Sequence, residues 1–172
     1  MGKEFNVTAV CRPEEHYMVN IEERLKEIKS LVDAGKYFTI NRARQYGKTT
    51  TLRALNKYLQ EDYYVISMDF QILSNAKFRT ESVFSRSFAH FFLRALKKMP
   101  ISKELEELFA ELKGAIDDRE NDFELTELFE YLSDICAEAE KPMVLIIDEV
   151  DSATNNQVFL DFLAQLRAYY IS

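Results

Sequence analysis

Two spacings of apolar residues alternate along the chain. Ile21, Leu25, Ile28 and Leu31-Val32 recur at helical intervals and predict a first helix. Asn20 stands where a cap is expected, with Glu23 at the third helical position, and Gly35 provides the stop. Residues 1–19, which include Pro13, read as an extended lead-in. Tyr37-Phe38-Thr39-Ile40 is a short strand-like run, followed by a helix over 48–60 that turns Leu52, Leu55 and Leu59 inward. A buried strand is expected at Tyr63–Phe70. The helix predicted over 81–99 puts Phe84, Phe88, Phe91 and Ala95 on one side, and Pro100 breaks it. Helices over 102–113 and 122–139 flank a turn from Gly114 to Asn121. Met143–Ile147 is a uniformly apolar third strand. Asn155-Asn156 opens a last helix with Val158, Phe159, Phe162, Leu163 and Leu166 inward.

Strands alternating with helices predict an α/β fold. The first and third strands lack polar alternation, as in a mainly parallel sheet covered on both faces. Such sheets bind ligands at the carboxyl ends of their strands. The first strand ends at Asn41 and the third at Asp148-Glu149, so both predicted chemistries fall on one edge.

The 172 residues suit one domain with a proper core. Four Gly and three Pro argue against long linkers. Two cysteines, Cys11 and Cys136, make neither a disulfide framework nor a zinc site, and fit reduced thiols of a cytoplasmic protein. The start of the chain lacks the apolar core of a signal peptide, and the longest aliphatic run, Val144–Ile147, is far too short to span a membrane. Net charge is −7, divided unevenly: residues 1–100 carry 17 Lys/Arg against 11 Asp/Glu, and residues 101–172 carry 5 against 18. The acidic half disfavours nucleic acid as a partner, while the basic half has room for a local anion site.

That anion site is expected in NRARQYGKTTT, residues 41–51. Gly47 lets backbone approach a phosphate, Lys48 brings a point charge, and Thr49 offers a hydroxyl to a magnesium ion. The amides up to Thr50 open a helix, and a helix start already attracts anions. The loop departs from the usual G-x-x-x-x-G-K-[ST] pattern, because Arg42 holds the first Gly position. That Gly shapes the exit from the strand and does not hold the γ-phosphate. Arg42 and Arg44 add positive charge beside the site. The second motif is VLIIDEVD, residues 144–151. Carboxylates at the end of a buried strand are costly unless they bind something. Asp148 is assigned to magnesium and Glu149 to the attacking water.

The chain resembles the predicted AAA-ATPase-like family of bacterial P-loop NTPases, relatives of archaeal and STAND-type ATPases. The resemblance rests on HYMVNI (16–21), YFTINRARQYGKTTTL (37–52), VISMDFQ (65–71) and VLIIDEVDSATNNQVFLDFLAQLRAYY (144–170), and covers nearly all of residues 1–172. In that family an Arg-rich loop without the first Gly is normal. The resemblance implies a three-layer α/β/α P-loop domain that binds ATP and Mg2+. It implies phosphate contacts from Arg44, Gln45, Tyr46, Gly47, Lys48, Thr49 and Thr50. Thr49 and Asp148 would hold the ion, and Lys48 and Glu149 would be catalytic. Such folds usually order five strands 5-1-4-3-2, with a sensor residue on strand four. No strand four follows the DE strand here, so the chain is expected to be an N-terminal fragment with an incomplete sheet. A missing C-terminal region or a protein partner would complete that sheet. Two functions follow: magnesium-dependent hydrolysis of the ATP γ-phosphate, or a nucleotide-binding switch or interaction module with little turnover.

The other features have plainer readings. The acidic residues of 104–140 form a solvated helical surface, and the phenylalanines of 84–92 are core. His16 and His90 have no evident catalytic partner. Asp69 ends the second strand at the presumed active edge, where a structural turn is its simpler role.

Overall fold

The computed structural model describes residues 21–40, 48–70, 75–150, 153 and 155–171. The chain divides into two compact units, residues 1–61 and 62–172.

In the first unit, α1 (Glu22–Asp33) buries Leu25 and Ile28 and packs against α2 (Lys48–Leu59), which buries Leu55 and Leu59. Helix α1 begins one residue later than the expected cap. Its N-cap is Ile21, which has no side-chain capping bond, and Glu22 and Glu23 lie in the first turn, where the helix dipole favours acids. Asn20 itself lies outside the described residues. The stop is as expected: Gly35 has φ 60°, its N–H reaches Val32 O at 2.8 Å, and the Lys36 N–H reaches Leu31 O at 2.9 Å. These paired bonds are a Schellman motif, which favours a residue without a Cβ at the left-handed position. The predicted strand at Tyr37–Ile40 does not form. A strand exists only through a paired neighbour, and the described sheet consists of two other strands.

In the second unit, β1 (Tyr64–Asp69) and β2 (Met143–Asp148) form a two-stranded parallel sheet. Their register sets Ile66 beside Leu145, Met68 beside Ile147, and Asp69 beside Asp148. Side chains alternate across a strand, so Ile66, Met68, Leu145 and Ile147 share one face, and all four belong to or pack on the core. Around them lie α3 (Glu81–Leu96), α4 (Lys103–Asp117), α5 (Leu125–Glu138) and α6 (Gln157–Ile171). The fold is α/β, with a small parallel sheet and mostly helices. It is compatible with an incomplete P-loop-like fold.

Each helix of this unit starts on a recognisable cap. Thr80 Oγ1 accepts from the Val83 N–H, and Ser102 Oγ from the Leu105 N–H. Glu124 and Glu127 form a capping box, and Asn156 Oδ1 accepts from the N–H groups of Val158 and Phe159. The core between these helices and the sheet is aromatic. Phe70 lies 5.3 Å from Phe159 and 6.4 Å from Phe84, centroid to centroid, and Phe162 lies 4.8 Å from Phe88 and 5.2 Å from Phe84. The tilted and edge-on geometries suit ring quadrupoles.

Two expectations change. Gly114 does not start a turn, because α4 runs through it to Asp117. The stripe Leu105, Phe109, Leu112 and Ile116 continues across the glycine, and burying it outweighs the modest helix penalty of Gly. On α3, Phe92 joins Phe84 and Phe88 in the core, while Phe91 is only half-buried.

Arg86 is a buried cation on the inner side of α3. Its guanidinium donates to Ala115 O at 3.2 Å, Ile116 O at 2.6 Å and Asn121 O at 2.5 Å. It also lies 5.7 Å from the centre of the Phe123 ring. The first two acceptors belong to the last turn of α4, where carbonyls lack helical partners and carry partial negative charge.

Candidate functional site

The phosphate-loop motif and the acidic motif belong to different units. Arg42, Arg44, Gln45, Tyr46 and Gly47 lie outside the described residues. Lys48 is the first residue of α2, so the predicted helix start after Gly47 is present. Thr49 is exposed and Thr50 half-buried. The Thr50 Oγ1 atom is buried without a hydrogen-bond partner among the described residues. A buried hydroxyl normally has one.

The start of α2 carries no acid. Helices α1, α3, α4 and α5 each have an acid in the first turn, whereas α2 and α6 have none, and α2 opens on Lys48. A cation at the positive end of a helix dipole is unfavourable by itself. A bound anion would reverse that sign and also satisfy the amides that the helix cannot pair.

In the second unit, β2 delivers Asp148 as its last residue. Asp148 Oδ1 accepts from the Glu149 N–H at 2.8 Å. Glu149 has φ 55°, the positive-φ non-glycine among the described residues. The left-handed region is sparsely populated for a residue with a Cβ, and such residues cluster at functional sites. Nothing in the sequence signals this conformation, since Glu is neither Gly nor Asn. Asp69 ends β1 in register with Asp148 and is exposed. Among the described residues no group of three or more His, Cys, Asp or Glu is arranged to hold a metal. No described helix is long and apolar enough to cross a membrane.

A family model for the AAA-like domain matches residues 12–172. The chain belongs to the AAA-like domain family. No curated protein and no solved structure matches it significantly. Membership of the AAA-like family points to a nucleotide-binding, ATPase-like function.

Magnesium takes oxygen ligands, keeps several waters and commonly relies on one or two protein groups plus substrate phosphates, so the lack of a three-ligand cluster among the described residues is no obstacle to it.

Proposed function

We propose that this AAA-like chain binds ATP and hydrolyses its γ-phosphate in a magnesium-dependent reaction. The observation that carries the proposal is the start of α2, which opens on Lys48-Thr49-Thr50 with no carboxylate in its first turn. Lys48 and the amides at the helix start would bind the phosphates, with Arg44, Gln45, Tyr46 and Gly47 completing the loop around them. Thr49 and Asp148 would hold magnesium, which when bound supplies charge neutralisation on the phosphate oxygens. Glu149 would orient and deprotonate the attacking water. Phosphoryl transfer depends on positioning and electrostatics more than on covalent chemistry, so these roles suffice for turnover at some rate. The Asp148 bond to the Glu149 amide supports the reading, because it fixes the backbone that carries the proposed base.

A second reading is a nucleotide-binding module with little hydrolysis. The small sheet favours it, since β2 is half-buried along its whole length and is paired only with β1 among the described residues.

Calorimetric titration of Mg-ATP into wild type and Lys48→Ala tests binding, and phosphate release from wild type and Glu149→Gln tests chemistry. Saturable binding lost in Lys48→Ala, with release lost in Glu149→Gln while binding persists, is the expected result. Binding without release in wild type leaves the second reading. Absence of Mg-ATP binding by folded wild type overturns both.

A further inference from the structure

The longest acid-free stretch of the second unit covers α3. From Ser82 to Lys103 there is no Asp or Glu, although the whole chain has 29. The stretch carries Arg86, Arg94, Lys97, Lys98 and Lys103. Arg86, His90, Arg94 and Lys97 follow one another at intervals of four, four and three, so they share a face of the helix. Arg86 is consumed inside, on the carbonyls that end α4. The other three line a groove between α3 and α4, with a volume of about 380 Å3, whose remaining walls are Phe91, Leu93 and Lys113.

The groove has two chemistries. Its walls include Phe91, which is half-buried, and Leu93, which is buried. Its rim is cationic. Lys113 is partly neutralised by Asp117, whose carboxylate lies 3.1 Å from the Lys113 ammonium and 4.0 Å from His90 Nε2. Arg94 and Lys97 are exposed and have no ion-pair partner among the described residues. The surplus positive charge of the groove therefore lies on these two residues.

We infer that this groove docks an acidic peptide segment of a protein partner, with an apolar side chain seated against Phe91 and Leu93 and carboxylates on Arg94 and Lys97. Charge complementarity selects the sign of the partner, and the guanidinium fork of Arg94 favours a planar carboxylate. The apolar walls and the volume, near the lower end of ligand-sized cavities, fit one buried side chain. A nucleic-acid backbone needs a continuing track of cations. Here the neighbouring helix α4 instead carries Glu104, Glu106, Glu107, Glu111 and Asp117 along its length, and the chain as a whole is at −7. The inference does not depend on nucleotide binding, since all of these residues belong to the second unit.

The test uses a fluorescein-labelled Glu-Glu-Phe-Glu-Glu-Leu peptide and fluorescence anisotropy on the full chain. Saturable binding is expected, weakened more than about tenfold by Arg94→Glu with Lys97→Glu, and severalfold by Phe91→Ala, because interface energy concentrates in a few residues. The control Lys26→Glu with Lys57→Glu changes net charge equally on exposed positions of the first unit, and binding should be kept. Far-ultraviolet dichroism reports whether each variant is folded. No saturable binding, or equal loss in the control, overturns the inference. So does tighter binding of a random oligonucleotide that depends on Arg94 and Lys97, which would make the groove a nucleic-acid surface. Self-association of wild type that the Arg94/Lys97 variant abolishes overturns it as well, because the occupant would then be a second copy.

Discussion

The two strands of the sheet end level, at Asp69 and Asp148, and then part. After Asp69 the chain turns Phe70 into the aromatic core, where 1% of it is exposed and three other rings surround it. After Asp148 it passes into Glu149, a charged residue in a left-handed backbone. The strands differ in the same sense along their length. Tyr64, Val65, Ile66 and Met68 of β1 are buried, yet β2, the more apolar sequence, is half-buried throughout. Burial follows neighbours, not hydropathy. One strand end is built for packing. The other accepts a backbone cost of the kind that clusters at functional sites.

The largest effect that sharpens this contrast is Phe70→Ala, expected to cost about 3–5 kcal/mol in urea unfolding through the cavity it leaves. Next come the in-register neighbours Ile66 and Leu145. Ile66→Ala should cost about 2–5 kcal/mol, and Leu145→Ala about half as much, because less of it leaves water on folding. Equal costs would break the comparison, by showing that β2 is fully covered in solution. Smaller still is Glu149→Gly, expected to stabilise by roughly 1 kcal/mol as the left-handed backbone is relieved, while phosphate release is lost. A destabilised Glu149→Gly would mean that the side chain is held by packing and the turn is structural. The smallest is Gly114→Ala, which should stabilise α4 by about 0.5–1 kcal/mol, since a Cβ there meets nothing within 4 Å. No gain in its thermal midpoint would place a turn there after all.

Much of this was legible in the sequence because it is local. The stripes of α1, α2 and α6, the Gly35 stop and the run at Met143–Ile147 need only spacing and propensity. What escaped is set by partners distant in sequence. Tyr37–Ile40 has the composition of a strand, but composition cannot supply the neighbour that makes one. Gly114 looks like punctuation, yet the apolar stripe on both sides of it decides for helix. Phe91 and Phe92 are adjacent and chemically identical, and only the packed helix settles which is core. On the candidate site, the sequence marked Lys48, Thr49 and Asp148-Glu149; among the described residues α2 begins at Lys48 and β2 ends at Asp148. The backbone of Glu149 and the orphan hydroxyl of Thr50 had no signal, because both depend on tertiary fit.

The Arg86 clamp has a consequence for acid. It shares the loop after α4 with Asp118, whose carboxylate accepts from the Glu120 N–H at 2.9 Å and from the Asn121 side-chain amide at 2.6 Å. These bonds, the Glu120 one first, hold the Asp118 carboxyl below its ordinary value. A depressed carboxyl contributes stability that is complete above its unfolded pKa and fades as pH falls through the folded one. Below the usual carboxylate range the Asp118 ties are therefore lost. The guanidinium keeps its charge and carbonyls take up no proton in that range, so Arg86 still grips Asn121 and the end of α4. Acid should loosen this loop at its outer edge and leave it fastened at the root.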